Sequence, residues 1–216
     1  MTSLTIVGTN HVAKASQDKI TDAFARHDPD VVAIELDHDR YTSLRSNDRT
    51  APSLRIARHV GLTAYLFARF AYHAQHIISR RTGVLPGEEM LHAADLAAKH
   101  ERPVHFIDQP FQQTLQNVND AFGFREACKL VSDLVTAPFT TNAPALDPNT
   151  VPDDETTRRI TRYIETRYPS LYKAVISDRD EHMAAEIQRL LDDENTVLAV
   201  MGAAHKHGVE QRLNYD

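Results

Sequence analysis

The sequence predicts an α/β protein: a central, mostly parallel β-sheet flanked by helices, with helical insertions. Three observations predict it. Short apolar runs at 4–7, 31–35, 104–107 and 197–201 are rich in Val, Ile and Leu, and most lack strict alternation. Such runs suit strands buried on both faces of a largely parallel sheet. Helical patterns fill the intervals and give β-α-β units. The 216 residues suit one domain, 1–216, in which segments at about 52–81 and 109–193 are helical insertions or cover.

In chain order, the first strand leads to a helix that opens near Ser16, a plausible N-cap, and stops before Asp28-Pro29. After the second strand, residues 37–45 read as a short helix with Tyr41 and Leu44 facing inward. Residues 52–81 read as one long helix with Gly61 as a kink. Its apolar coverage is broad enough for more than one neighbour, which invites a homodimer. Pro86, Glu88 and Glu89 mark the start of a helix running to His100. The third strand follows, then helical sequence over 109–135 and a Pro-rich loop over 137–152. Helices at 153–167 and 177–191, the latter with Ser177 and Asp178 as caps, precede the fourth strand. His205 begins a short final helix.

Composition excludes several classes. Net charge is −6, from 24 basic and 30 acidic residues, which argues against broad nucleic-acid binding. No apolar run approaches the roughly 18 residues of a membrane span. The first strand begins almost at Met1, which leaves no room for a signal peptide, so a cytoplasmic protein is expected. The single cysteine, Cys128, excludes an intramolecular disulfide and a cysteine cluster for zinc, and reads as a small buried hydrophobe.

Chemistry concentrates where strands end. Gly8-Thr9-Asn10-His11 follows the first strand, and Gly202-Ala203-Ala204-His205 follows the last. Glycine tolerates positive φ and close backbone approach, so each turn delivers its histidine to the carboxyl edge of the sheet, where open α/β sheets bind ligands. His11 and His205 are therefore expected to form two halves of one site. Glu35 closes an otherwise apolar strand, which is costly for a carboxylate unless it is paired or metal-bound. Asp108 closes the third strand in the same way, and Arg40 can hold a carboxylate in a bidentate pair. Glu88 and Glu89 are also explained by the helix dipole alone, and Asp178–Glu181 by a solvated charge run. Two histidines with carboxylates resemble a divalent metal site, with Mn, Co or Zn as the ion. Such an ion would supply hydroxide for hydrolysis, with Glu35 or Glu89 as general base. A metal-free alternative has His and Glu activate water directly.

Six ordered blocks carry a family resemblance over nearly the whole chain. Residues 8–16, GTNHVAKAS, resemble the opening of the TraB/PrgY family, roughly GTxHxxxxS. Residues 31–41, VVAIELDHDRY, resemble its VVxVELDxxRY block. Gly87–Met90 is similar to GxEM, 103–108 to PVxLID, 178–184 to ERDxxMA and 200–205 to VVGAxH. The family belongs to a broader group with the animal TIKI metalloproteases, erythromycin esterases and ChaN-like haem-associated proteins.

The resemblance implies an α/β core and a metal-dependent, peptidase-like hydrolase acting on a peptide or small molecule. Bacterial members are associated with shutting down a peptide pheromone. By this analogy His11, Glu35, Glu89 and His205 form the site and hold the metal, with Arg40 and Arg179 in support. A non-catalytic peptide or small-molecule binding module and a haem or iron carrier are the alternatives. Asp178 departs from the glutamate usual in its block. Many prokaryotic members continue into a hydrophobic membrane region. A chain stopping at Asp216 is expected to be a soluble, minimal version.

Overall fold

The computed structural model of the chain describes residues 3–9, 13–46, 58–61, 63–70, 72–73, 87–121, 123, 126, 129, 132–133, 154–193 and 196–214. Its elements are β1 (Ser3–Thr9), α1 (Ala13–His27), β2 (Val31–Ile34), α2 (His38–Arg45), α3 (Glu88–Lys99), β3 (Val104–Phe106), α4 (Phe111–Ala121), α5 (Asp154–Arg167), α6 (Pro169–Tyr172), α7 (Asp178–Asp193), β4 (Thr196–Gly202) and α8 (Ala203–Leu213). A π-helical turn, Lys173–Ser177, joins α6 to α7. Cys128, the 137–152 loop and much of the 52–81 segment lie outside the described residues.

The strands pair in the order β1-β4-β2-β3, and every pairing is parallel. The last strand therefore inserts between the first two. Residues 31–34 and 197–201 are fully buried, as their unbroken apolar sequence requires. The strand expected at 104–107 behaves differently. Among the described strands β3 is an edge, and His105 is exposed. Pairing on one side only leaves its polar residue a route to water.

Helices cover both faces. On one, Ile20 and Phe24 of α1 and Met90, Ala93 and Ala97 of α3 pack on Val7, Val32, Ile34, Leu198 and Val200. On the other, Met183, Ala184 and Ile187 of α7 and Val209 of α8 pack on Leu4, Val31, Ala33, Val197, Ala199 and Met201. Each large buried aliphatic side chain contributes about 1.5–3 kcal/mol. A smaller cluster joins Val60, Ala64 and Ala68 to Leu115 of α4. Among the described residues no helix is long and apolar enough to cross a membrane.

Three local expectations change. First, α1 starts at Ala13, so Ser16 is a buried residue of the helix and not its cap. Second, Gly61 breaks the 52–81 helix instead of kinking it. Its φ of +89° lies outside helical space, and a side chain there would collide with Asn119. Helical residues 58–60 and 63–70 flank it. Third, Ser177 and Asp178 do not cap α7. The helix is entered through the π-helical turn, and Asp178 has helical angles of −66° and −34°.

Candidate functional site

Parallel strands deliver all their carboxyl ends to one edge of the sheet. Thr9 of β1 stands opposite Gly202 of β4. The ladder runs one residue past β2, where the Glu35 amide donates to the Val200 carbonyl at 3.0 Å, and past β3, where the Ile107 amide donates to the Ile34 carbonyl at 3.1 Å. Glu35 and Asp108 are thereby fixed at the same edge as the turn carrying His205. All three are buried.

Arg179 of α7 joins them. Its Nε and one terminal nitrogen grip Asp108 bidentately, at 2.9 Å to Oδ1 and 2.7 Å to Oδ2. The same terminal nitrogen reaches Glu35 Oε1 at 2.5 Å. The other meets His205 Nε2 at 3.0 Å and the Val175 carbonyl of the π-helical turn at 3.4 Å. These contacts match all five N–H donors of a guanidinium. Lysine, a compact point charge, cannot reproduce that fork. Arg40 adds a bond to Asp108 Oδ2 at 3.2 Å from a half-exposed side chain. Asp37 caps α2 by accepting the Arg40 amide at 2.8 Å. Its other oxygen accepts the Phe111 amide at the start of α4 at 3.1 Å.

His205 is held on both ring nitrogens. Nδ1 lies 2.6 Å from Asp180 Oδ1. An ionised carboxylate only accepts, so Nδ1 carries the proton and donates. Nε2 then faces two groups of opposite character. When unprotonated it accepts from Arg179; when protonated it has Glu35 Oε1 as an acceptor 3.4 Å away. The ring is thus oriented from behind by a carboxylate, with a partner ready for either state of its leading nitrogen.

The two carboxylates are shifted in opposite directions. Burial would raise Glu35, but the charges of His205 and Arg179, the Gly202 amide bond at 2.5 Å and Arg40 outweigh it and hold the carboxyl down at about 2. Burial pushes Asp180 up, against the lowering pull of His205 and Arg212. Its second oxygen, Oδ2, is buried without a hydrogen-bond partner, with Arg212 at 3.7 Å.

The glycines serve close approach, not unusual torsions. Gly202 has φ −62° and ψ 142°, open to any residue. A Cβ there would meet Glu35 Oε2 at 3.3 Å, and one on Gly8 would meet Lys206 Cδ at 3.2 Å. Gly208, one turn beyond His205, admits Asp180. A Cβ there would fall 2.0 Å from Asp180 Oδ2.

Of the residues expected from the sequence, Glu35, His205, Arg179 and Arg40 come together, with Asp108. His11 lies outside the described residues, although its strand ends at Thr9 beside Gly202. Glu89 is buried at the start of α3, where it accepts the Gly87 amide at 3.2 Å. Among the described residues no group of three or more His, Cys, Asp or Glu side chains is arranged to hold a metal ion. Sequence reasoning passed over Asp180 and Gly208. Both left a signal. Asp180 shares a helical stripe with buried Met183, Ala184 and Ile187, where a carboxylate needs a partner. Gly208 extends the Gly202–His205 spacing by another three residues.

A family model described as the TraB/PrgY/gumN family matches residues 1–215. An uncharacterized protein of Methanocaldococcus jannaschii is 26% identical over 210 residues, covering 96% of this chain and 52% of its own length. TraB domain-containing proteins of Mus musculus and Homo sapiens are 24% and 23% identical, each covering 98% of this chain and 62% of their own length. The chain thus spans between half and two thirds of these relatives. The match over essentially every residue shows that the chain belongs to the TraB/PrgY/gumN family.

Proposed function

We propose that this chain is a hydrolase of peptide-like amide or ester bonds, working at the carboxyl edge of the sheet, with His205 as its acid–base group. The observation that carries this reading is the Asp180–His205 pair at 2.6 Å, whose leading nitrogen faces Arg179 and Glu35. Imidazole is the side chain that exchanges a proton near neutral pH. Water attacks the scissile carbonyl carbon and gives its proton to Nε2, which must first part from the Arg179 N–H it accepts at 3.0 Å. The imidazolium, stabilised by Asp180 and Glu35, then returns that proton to the leaving amine or alkoxide. A carboxyl held at about 2 is a poor base at neutral pH, so Glu35 acts as an electrostatic partner and not as the base. Arg179 is saturated and positions its neighbours, whereas half-exposed Arg40 is the cation available to a developing oxyanion.

In a metal-dependent form of this reading, Glu35 and His205 are the described groups that would hold a divalent ion, each released from its bond to Arg179 and with Nε2 a ligand in place of the acid–base group, while Asp180 orients the ring as carboxylates behind metal-bound histidines do. The ion would supply hydroxide at neutral pH. His11 and Glu89 complete the ligand set expected from the sequence.

The test is a panel of amide and ester substrates assayed with Mn, Co or Zn added and with chelator, on wild type, His205→Ala and Glu35→Gln. Turnover is expected to fall at least a hundredfold in His205→Ala. Undiminished turnover there would remove the proposal. The saturation of Arg179 favours one second reading, a rigid binding module that captures a peptide or small molecule without turnover. Saturable binding by a wild type that turns over nothing would select it. Self-association is also proposed, through Leu66 and Phe70, which are 57% and 54% exposed and one helical turn apart. Sedimentation of Phe70→Glu beside wild type tests it.

A further inference from the structure

His205 stands on α8 and Asp180 on α7, so their bond depends on how those two helices are held together. A second tie joins the same two segments. Arg212 follows His205 by about two turns of α8 and so lies on the same side of that helix. One of its terminal nitrogens crosses to Ser177, the residue that ends the π-helical turn, at 2.9 Å to Oγ and 3.3 Å to the carbonyl. The other donates to the Gly208 carbonyl at 2.8 Å and stands 3.7 Å from Asp180 Oδ2. Gly208, between His205 and Arg212, leaves the space that Asp180 occupies.

Asp180 needs something on that side. Its Oδ1 is taken by His205, whereas Oδ2 is buried without a hydrogen-bond partner. Burying such an oxygen is costly, and a carboxylate tied through one oxygen can turn about its Cβ–Cγ bond. Glu35 adds a like charge from the site. Arg212 is the cation beside Oδ2. At 3.7 Å it is too far for a hydrogen bond, but its attraction is strong where water is scarce. Three bonds to fixed acceptors hold the guanidinium in place. The helix dipole alone would favour an arginine in the last turn, and the bond to the Gly208 carbonyl is of that local kind. The reach across to Ser177 and Asp180 is not, because both belong to another segment of the chain.

We propose that Arg212 is a positioning residue for His205: it holds Asp180 in the orientation that keeps the ring proton on Nδ1 and leaves Nε2 turned to the site. Its consequence for turnover rests on the hydrolase reading; its effect on the ring does not. The experiment records ring-nitrogen NMR of the full chain labelled with 15N-histidine, at alkaline pH and without substrate. The His205 signals are assigned by their loss in His205→Ala. The variants are Arg212→Gln, Arg212→Lys and Ser177→Ala, each checked for folding by circular dichroism. Wild type is expected to show His205 as a single Nδ1–H tautomer. Arg212→Gln is expected to mix the two tautomers, Arg212→Lys to restore the wild-type ring, and Ser177→Ala, which keeps the cation, to preserve it. On any substrate that wild type turns over, kcat should fall about tenfold in Arg212→Gln with KM unchanged. A His205 ring in Arg212→Gln identical to wild type would overturn the proposal. So would a lysine variant no better than the glutamine one, or a Ser177→Ala ring as mixed as that of Arg212→Gln, which would reduce Arg212 to a structural clasp. Should Arg212→Gln not fold, the wild-type spectrum still decides, since an Nε2–H or mixed ring there is incompatible with the assignment. A wild type that turns over nothing removes the hydrolase reading and leaves the ring signals to judge Arg212.

Discussion

Replacing Gly208 by alanine should destabilise the protein, although alanine is the better helix former. Gly208 lies inside α8, where exchange to alanine normally gains about 1 kcal/mol. Here the new methyl would sit 2.0 Å from Asp180 Oδ2 and 2.8 Å from its Cγ. Asp180 cannot swing aside freely, because it is fully buried and bonded to His205. Overpacking costs about 1–3 kcal/mol. Displacing Asp180 also forfeits a charge-assisted bond worth about 1.5–3 kcal/mol. Set against the propensity gain, the net loss is about 1.5–5 kcal/mol. Urea unfolding with an unchanged m-value measures it. The double variant Gly208→Ala, Asp180→Ala should cost less than the sum of the two single changes, since removing the carboxylate vacates the space the methyl needs. A Gly208→Ala protein as stable as wild type, or additive costs in the double variant, would refute the reasoning.

Three further outcomes follow from the same cluster. Arg179→Met leaves Glu35 and Asp108 buried with little compensation, and should cost about 3–5 kcal/mol in denaturant midpoint analysis. Arg179→Lys should recover less than half of that, because it offers no fork. For pH, Glu35 is depressed in the folded state from 4.5 to about 2, so its contribution is present above 4.5 and lost as pH falls towards 2. That contribution is about 3 kcal/mol and should vanish from the stability–pH profile of Glu35→Gln. Asp180, raised by burial, acts with the opposite sign and should flatten or invert what remains in that variant. Finally, Thr9→Val removes the buried bond from Thr9 Oγ1 to the Met201 carbonyl at 3.2 Å, and should cost about 1 kcal/mol at the β1–β4 junction in thermal melts.

The candidate site was legible where chemistry conflicts with environment. Glu35 and Asp108 each end an apolar run, and a carboxylate there must find a partner; each finds Arg179. His205 follows its strand at the spacing that brings it to the carboxyl edge. The role expected of glycine was only partly right. Neither Gly8 nor Gly202 adopts positive φ, and both instead make room for a neighbour's side chain. Asp180 was hidden in a charge run, and only the phase of the apolar stripe Met183, Ala184 and Ile187, carried back one turn, marks it as the acid of that run that turns inward.

By itself, the sequence determined the strands and most of the helices, because apolar runs and their period are local properties of a chain in water. It also determined which polar residues sit at strand ends. Tertiary structure alone decided the strand order, with β4 inserted between β1 and β2. It decided that one guanidinium would bind Glu35, Asp108 and His205 together. These are contacts between residues tens to nearly two hundred positions apart. Strand pairing and helix packing settle them, and no local propensity encodes them.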